Sequence, residues 1–194
     1  MSGMASWRKE IALKITNPVI NLLAKTGLTP NMVTIIGFVI TLVAALIIVN
    51  GNLLLAGIVM LLAGVFDMLD GALARRTGRV TRFGAVLDST LDRVSEAAIL
   101  IGVCAFYSQN GQTPEVILAV ITLTLSLLVS YIRARAEAMG LEGKEGFFTR
   151  PERVVALAIG MMLNILVPVL VLVSVLSLIT VIQRLANVYR QTKL

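Results

Sequence analysis

Apolar residues fall in long unbroken blocks along this chain, with polar residues gathered at the block ends. The clearest blocks are Met32 to Val49, Leu53 to Met68, Phe83 to Tyr107 and Val116 to Ile132. A bilayer-spanning helix needs about 20 mostly apolar residues, so each block predicts one span. Val154 to Ile182 is too long for a single span, and Asn164 and Pro168 are expected to divide it into two. The pattern predicts an all-α integral membrane protein of six transmembrane helices. Ahead of them, Ser6 to Lys25 places Trp7, Ile11, Ala12, Ile15, Val19, Leu22 and Leu23 at helical spacing with basic residues between. That stretch reads as an amphipathic helix lying in the membrane interface, kinked or divided at Pro18. Thr29 is a suitable N-cap for the first span and Pro30 suits its first turn. Neither a long linker nor a second domain is evident. The expected organisation is one membrane domain over residues 1–194, with a juxtamembrane helix in 1–28 and a six-helix bundle in 29–194.

Composition supports the membrane placement: 57% of the 194 residues are hydrophobic and 14% are charged, with a mean hydropathy of +0.91. The basic residues add direction. Arg8, Lys9, Lys14 and Lys25 precede the first span, and Arg75, Arg76, Arg79 and Arg82 separate the second from the third. Arg133, Arg135, Lys144, Arg150 and Arg153 lie between the fourth and fifth, and Arg184, Arg190 and Lys193 follow the sixth. The alternate connections contain no Lys or Arg. By the positive-inside rule both termini face the cytoplasm and the number of spans is even, which predicts a multi-pass protein of the cell membrane.

Net charge is +6. A basic chain invites a nucleic-acid partner, but these charges decorate membrane ends without interleaved aromatics, so no nucleic-acid partner is expected. Anionic lipid surfaces and a phosphorylated substrate account for them better. The single Cys104 lies in an apolar block, which removes a disulfide framework and a zinc site. With no histidine, any general base must be a carboxylate, Lys or Tyr. The first segment is not expected to be a cleaved leader, because charges recur through Lys14 and no small-residue cleavage site follows an apolar core.

The informative polar residues are four aspartates in or beside apolar blocks, where an ionised group is costly and marks function by default. Asp67 and Asp70 are i,i+3 neighbours on a helix and Asp88 and Asp92 are i,i+4 neighbours, so each pair shares a face. Two such faces together form an all-oxygen nest for a hard cation, Mg²⁺ first and Mn²⁺ as the alternative. Structural pairing of the aspartates with nearby arginines is the competing interpretation. Gly71 and Gly84 allow close approach of a ligand or a helix. Arg133, Arg135, Arg150, Arg153 and Arg184 fall at cytoplasmic helix ends and suit phosphate binding, against the simpler reading of membrane anchoring. Glu137 and Glu152 are expected to orient these arginines through salt bridges.

Asp67-x-x-Asp70-Gly71-x-x-Ala74-Arg75 followed by Gly84-x-x-x-Asp88-x-x-x-Asp92 resembles the signature of the CDP-alcohol phosphatidyltransferase family at every signature position. The segments Phe66 to Ala72, Thr81 to Asp88, Ser130 to Glu137, Gly146 to Arg153 and Gln183 to Leu185 look like phosphatidylinositol phosphate synthases of actinobacterial type. The likeness covers nearly the whole chain and is weakest over Ser108 to Val129 and Leu163 to Thr180. Relatives using glycerol phosphate usually carry Pro after the third aspartate and Lys after the fourth, where this chain has Ser89 and Arg93.

The resemblance implies a six-span, commonly homodimeric enzyme that displaces CMP from CDP-diacylglycerol by the hydroxyl of inositol 1-phosphate. It implies that Asp67, Asp70, Asp88 and Asp92 hold divalent metal, with Asp92 also the general base. Thr29, Pro30, Asn31, Met32, Gly71, Arg75 and Thr81 would hold the CDP-lipid. Arg135, Arg153 and Arg184 match acceptor-phosphate positions, supported by Arg133. Alternatives are a phosphatidylglycerophosphate synthase acting on glycerol 3-phosphate, an archaetidylinositol-phosphate-type synthase, and, from another class, a cation transporter. The transporter would need a polar path across the membrane, whereas here the polar residues gather at one face.

Overall fold

The computed structural model describes residues 20, 21, 23, 26–141, 146 and 148–193. Most of the expected amphipathic helix, and Lys144, lie outside the described residues. Six long helices are described and no strand occurs among the described residues: α1 Pro30–Val49, α2 Leu53–Thr77, α3 Arg82–Gln109, α4 Thr113–Ala138, α5 Arg150–Met162 and α6 Leu166–Thr192. Four of them, α1, α2, α4 and α6, are long and apolar enough to cross a membrane. α3 carries Asp88, Asp92 and Arg93 in its first half and Glu96 at its middle. α5 has 13 residues and rises about 20 Å, short of the about 30 Å of hydrocarbon.

Local sequence sets the helix ends. Thr29 caps α1 by accepting the Met32 N–H at 3.3 Å, with Pro30 in the first turn. Asn52 caps α2 through the Leu55 N–H at 3.1 Å, and α2 stops at Gly78, whose φ of 65° suits glycine. Thr81 caps α3 by accepting the Gly84 N–H at 2.9 Å. The last apolar block breaks at Asn164, which turns the chain at φ 55°. Pro168 fits that break, since in an unbroken helix its ring would clash with the Asn164 carbonyl. It is the third residue of α6, where a helix has no intrahelical use for its N–H.

The helices close into a ring in which each packs on two neighbours: α1 on α2 and α3, α2 on α5, α5 on α6, α6 on α4, and α4 on α3. Between apolar helices in lipid the hydrophobic effect gives little, so close packing through small residues holds them. A Cβ added to Gly102 of α3 would stand 2.9 Å from the Ala45 carbonyl oxygen of α1, and one on Gly57 of α2 would stand 2.7 Å from the Ala158 oxygen of α5.

The core occupies one end of the ring. Ile48, Met60, Leu100, Val103, Met161 and Leu170 are buried there, in the second halves of α1, α3 and α5 and the first halves of α2 and α6. At the other end a smaller cluster of Ile20, Val33, Leu69 and Leu73 joins the entry segment, α1 and α2. Outward faces remain apolar and exposed, as at Leu46, Leu62, Ile101 and Ile182, which a lipid surround satisfies. One end of the ring is filled with hydrocarbon, and the other is left for polar groups.

Candidate functional site

The polar end is built from the second half of α2 and the first half of α3, which run in opposite directions against α1. Asp67 and Asp70 lie one turn apart on α2, and Asp88 and Asp92 one turn apart on α3. Carboxylate oxygens of Asp67, Asp70 and Asp88 all lie within 4.8 Å of one another. Oxygens around one Mg²⁺ are at most about 4.2 Å apart, so a small contraction of these side chains would enclose such an ion. An all-carboxylate donor set suits a hard divalent cation. Asp70 is 4% exposed and is oriented by Thr34 of α1, whose hydroxyl donates to its Oδ2 at 2.6 Å.

Asp92 is not one of that trio but adjoins it through Asp67, and it meets Arg150, the first residue of α5. Arg150 Nη1 lies 2.6 Å from Asp92 Oδ1 and 2.6 Å from Asp67 Oδ2. The sequence groups Arg150 with the cytoplasmic arginines expected to be oriented by Glu137 or Glu152, and the aspartate–arginine pairing weighed there as the competing interpretation is the contact it makes. A signal was present: a cation at the first position of a helix opposes the macrodipole and calls for a nearby anion.

Three residues further on, Arg153 is fully buried and gives two hydrogen bonds to Glu96 of α3, Nε to Oε1 at 2.6 Å and Nη2 to Oε2 at 2.9 Å. Its Nη1 reaches the Phe148 carbonyl at 3.5 Å. Glu96 was not singled out in the sequence, although it continues the i,i+4 register of Asp88 and Asp92 into an apolar run. Glu152 does not orient an arginine as expected. Its carboxylate accepts the Thr149 N–H at 2.9 Å and the Thr149 hydroxyl, closing the start of α5. Glu137 does pair with Arg133 at 2.9 Å, one turn away on exposed α4 surface.

Two cavities meet at this end. A small one of about 90 Å³ is lined by Asp92, Arg93, Ser130, Arg133, Thr149, Arg150, Arg153 and Arg184. It gathers three of the four arginines expected to hold an acceptor phosphate. Arg135 is exposed and is not in this lining. Arg184, 5% exposed, donates to the Val129 carbonyl. A larger cavity of about 300 Å³ runs between α1, α2, α3 and α5, with Thr34, Asp67, Asp92 and Arg150 at its polar end and Phe38, Met60, Ile99 and Leu157 deeper in. Asp92 and Arg150 line both cavities.

The residues expected to hold a nucleotide lie along the rim. Asn31 Oδ1 and Thr81 Oγ1 come within 3.0 and 2.9 Å of where a Gly84 Cβ would be, so the heads of α1 and α3 meet at a position only glycine fills without displacement. Thr81 and Thr29 accept backbone N–H groups, which leaves both hydroxyl protons to donate elsewhere. The Arg75 guanidinium lies over Gly71, 3.4 Å from that residue's would-be Cβ. Met32 is exposed beside them.

Known proteins resemble this chain in sequence and in fold. The model of the CDP-alcohol phosphatidyltransferase family matches residues 27–185. The phosphatidylinositol phosphate synthase of Mycobacterium tuberculosis is 41% identical over 164 residues, covering 82% of this chain and 75% of that protein. A crystal structure of that synthase with CDP-DAG bound superposes with a TM-score of 0.84 at 40% identity, covering 91% of this chain and 94% of the other. A second, in complex with manganese and citrate, gives a TM-score of 0.84 at 40% identity over 90% and 88% of the two chains.

Proposed function

The chain belongs to the CDP-alcohol phosphatidyltransferase family, and from that premise we propose that it moves the phosphatidyl group of CDP-diacylglycerol onto inositol 1-phosphate. The products are phosphatidylinositol phosphate and CMP, and the cofactor is a divalent cation, Mg²⁺ or Mn²⁺. One observation carries the acceptor reading: Asp92, next to the carboxylate trio, also lines a cavity whose other charged groups are arginines. An acceptor that presents both a hydroxyl and a phosphate matches that pairing.

In this reading the acceptor hydroxyl attacks the lipid-side phosphorus of the pyrophosphate in line with the departing CMP oxygen. Asp67, Asp70 and Asp88 hold the cation, with Asp92 beside a second position. When bound, the cation offsets charge on the pyrophosphate oxygens. Asp92 accepts the hydroxyl proton, and its place on both cavities supports that role. Arg133, Arg153 and Arg184 take the acceptor phosphate from the α4, α5 and α6 sides, while Arg135, the fourth arginine expected there, is exposed on α4 outside that lining. Thr29, Pro30, Asn31, Met32, Gly71, Arg75 and Thr81 hold the cytidine diphosphate. The N-termini of α1 and α3 add partial positive charge there.

The protein is a multi-pass membrane protein, and we place it in the cytoplasmic membrane with six spans and both termini inside. The turns after α1 and α5 share one end of the ring with Phe106 of α3, the end whose connections lack Lys and Arg. α5 completes a span despite its length because its first turn sits level with the aspartates rather than above them. A single domain, with residues 1–28 on the interface and 29–194 as the bundle, and a homodimer complete the reading. The acceptor is tested by CMP release from CDP-diacylglycerol with Mg²⁺, comparing inositol 1-phosphate, glycerol 3-phosphate, free inositol and serine. Release with inositol 1-phosphate alone is expected. Release with glycerol 3-phosphate in its place would overturn the acceptor.

A further inference from the structure

Arg150 is held in a way that arginine rarely is when its place is permanent. One nitrogen, Nη1, serves two carboxylates from different helices at 2.6 Å each, while Nε is buried with no hydrogen-bond partner. A guanidinium binds carboxylate best as a fork, through two parallel bonds, and an unmade bond from a buried donor is costly. Arg153, one turn along the same helix, makes that fork with Glu96. Charge more than geometry therefore holds Arg150 to Asp67 and Asp92, and a divalent cation offers those carboxylates more charge. Asp67 belongs to both arrangements, since it is one of the three carboxylates close enough to share an ion. Arg150 also has somewhere else to go. It hangs from the first residue of α5 and already lines the cavity containing Arg133, Arg153 and Arg184.

We infer that Arg150 is an internal counter-cation of the aspartate cluster, which yields Asp67 and Asp92 when a divalent cation binds and turns its guanidinium to the acceptor phosphate. The inference rests on the reading of Asp67, Asp70 and Asp88 as metal ligands, and it adds a phosphate-binding residue outside the set assigned above. Two consequences follow. Before the cation arrives, Arg150 offsets part of the charge of Asp67 and Asp92. Once it has bound, the freed guanidinium favours the phosphate, so cation and acceptor strengthen each other's binding by the same factor.

The test measures Mn²⁺ binding by the paramagnetic resonance of free Mn²⁺, on the whole purified chain in detergent without CDP-lipid, so that no turnover enters the reading. Wild type, Arg150→Ala and Arg150→Lys are titrated with and without inositol 1-phosphate, and Asp70→Asn serves as the metal-site control. Removing the competing cation in Arg150→Ala should tighten Mn²⁺ binding roughly tenfold, within the usual range of coupling between sites. Arg150→Lys, a cation without the planar reach to two carboxylates, should fall between. Inositol 1-phosphate should tighten Mn²⁺ binding in wild type and leave Arg150→Ala unmoved. Equal or weaker Mn²⁺ binding in both variants would overturn the inference while wild type still binds and Asp70→Asn does not. Tighter Mn²⁺ binding with no response to inositol 1-phosphate in wild type would overturn the turn toward phosphate. If wild type binds no Mn²⁺, the metal reading itself has failed and the inference falls with it.

Discussion

Arg150 and Arg153 sit three residues apart on α5 and hold carboxylates in opposite styles. Arg153 is fully buried and forks onto one partner, Glu96. Arg150 keeps a side-chain exposure of 20% and divides one nitrogen between Asp67 and Asp92. Burial of an ion pair is tolerated when its geometry is good and its loss leaves a bare charge in low dielectric. A half-open, divided contact has no such lock. The difference teaches that one turn of helix can carry both a fixed strut and an exchangeable charge, with burial deciding which is which.

The sharpest way to test that contrast is to remove each residue's job separately. Asp92→Asn takes away the proton acceptor and one arm of the Arg150 bridge. Turnover should fall by about 10²–10⁴-fold, the usual contribution of a general base, while CDP-lipid binding and the thermal midpoint stay near wild type. Near-normal turnover would remove Asp92 from that role. Arg153→Ala removes one of the arginines assigned to the acceptor phosphate and, unlike Asp92→Asn, also acts through the fold, leaving Glu96 buried and unpaired at a cost of about 3–5 kcal/mol. Thermal unfolding in detergent should show a large drop for Arg153→Ala and a much smaller one for Arg150→Ala. Equal drops would erase the distinction between strut and exchangeable charge.

Smaller effects sharpen the picture at its edges. Thr34→Val keeps the shape beside Asp70 but removes the hydroxyl that orients it at 2.6 Å. Partners of metal ligands typically contribute 10–100-fold, so Mn²⁺ affinity should weaken by about tenfold. An unchanged titration would mean that Asp70 needs no orientation. Gly102→Ala places a methyl group 2.9 Å from the Ala45 carbonyl oxygen at the filled end of the ring. Overpacking of this kind costs about 1–3 kcal/mol, and it should lower the thermal midpoint while leaving the Mn²⁺ titration in place.

Much of this organisation was written in local pattern. The apolar blocks marked each helix, and Thr29, Gly78 and Thr81 act through their immediate neighbours. The break at Asn164 was legible, and Pro168 supported it, because a proline four residues on is incompatible with an unbroken helix through Asn164. The aspartate pairs were visible because helical spacing alone puts each pair on one face. The link from Arg150 to Asp67 spans 83 residues of chain, and that from Arg153 to Glu96 spans 57. Such contacts depend on how α2, α3 and α5 meet, which no local spacing contains. The same holds for Glu152, whose role as a cap of Thr149 was readable from the Thr-x-x-Glu spacing, while the arginine-rich surroundings suggested a different partner.

The most direct check on the central claim follows the acceptor's own phosphate. Purified protein would be given CDP-diacylglycerol, Mg²⁺ and inositol 1-phosphate labelled in its phosphate, and both CMP and lipid-soluble label would be counted. The account predicts label entering the lipid in equal amount to the CMP released, because the acceptor joins through its hydroxyl and keeps its phosphate. CMP release without label in the lipid would mean that water takes the phosphatidyl group, and it would contradict the account.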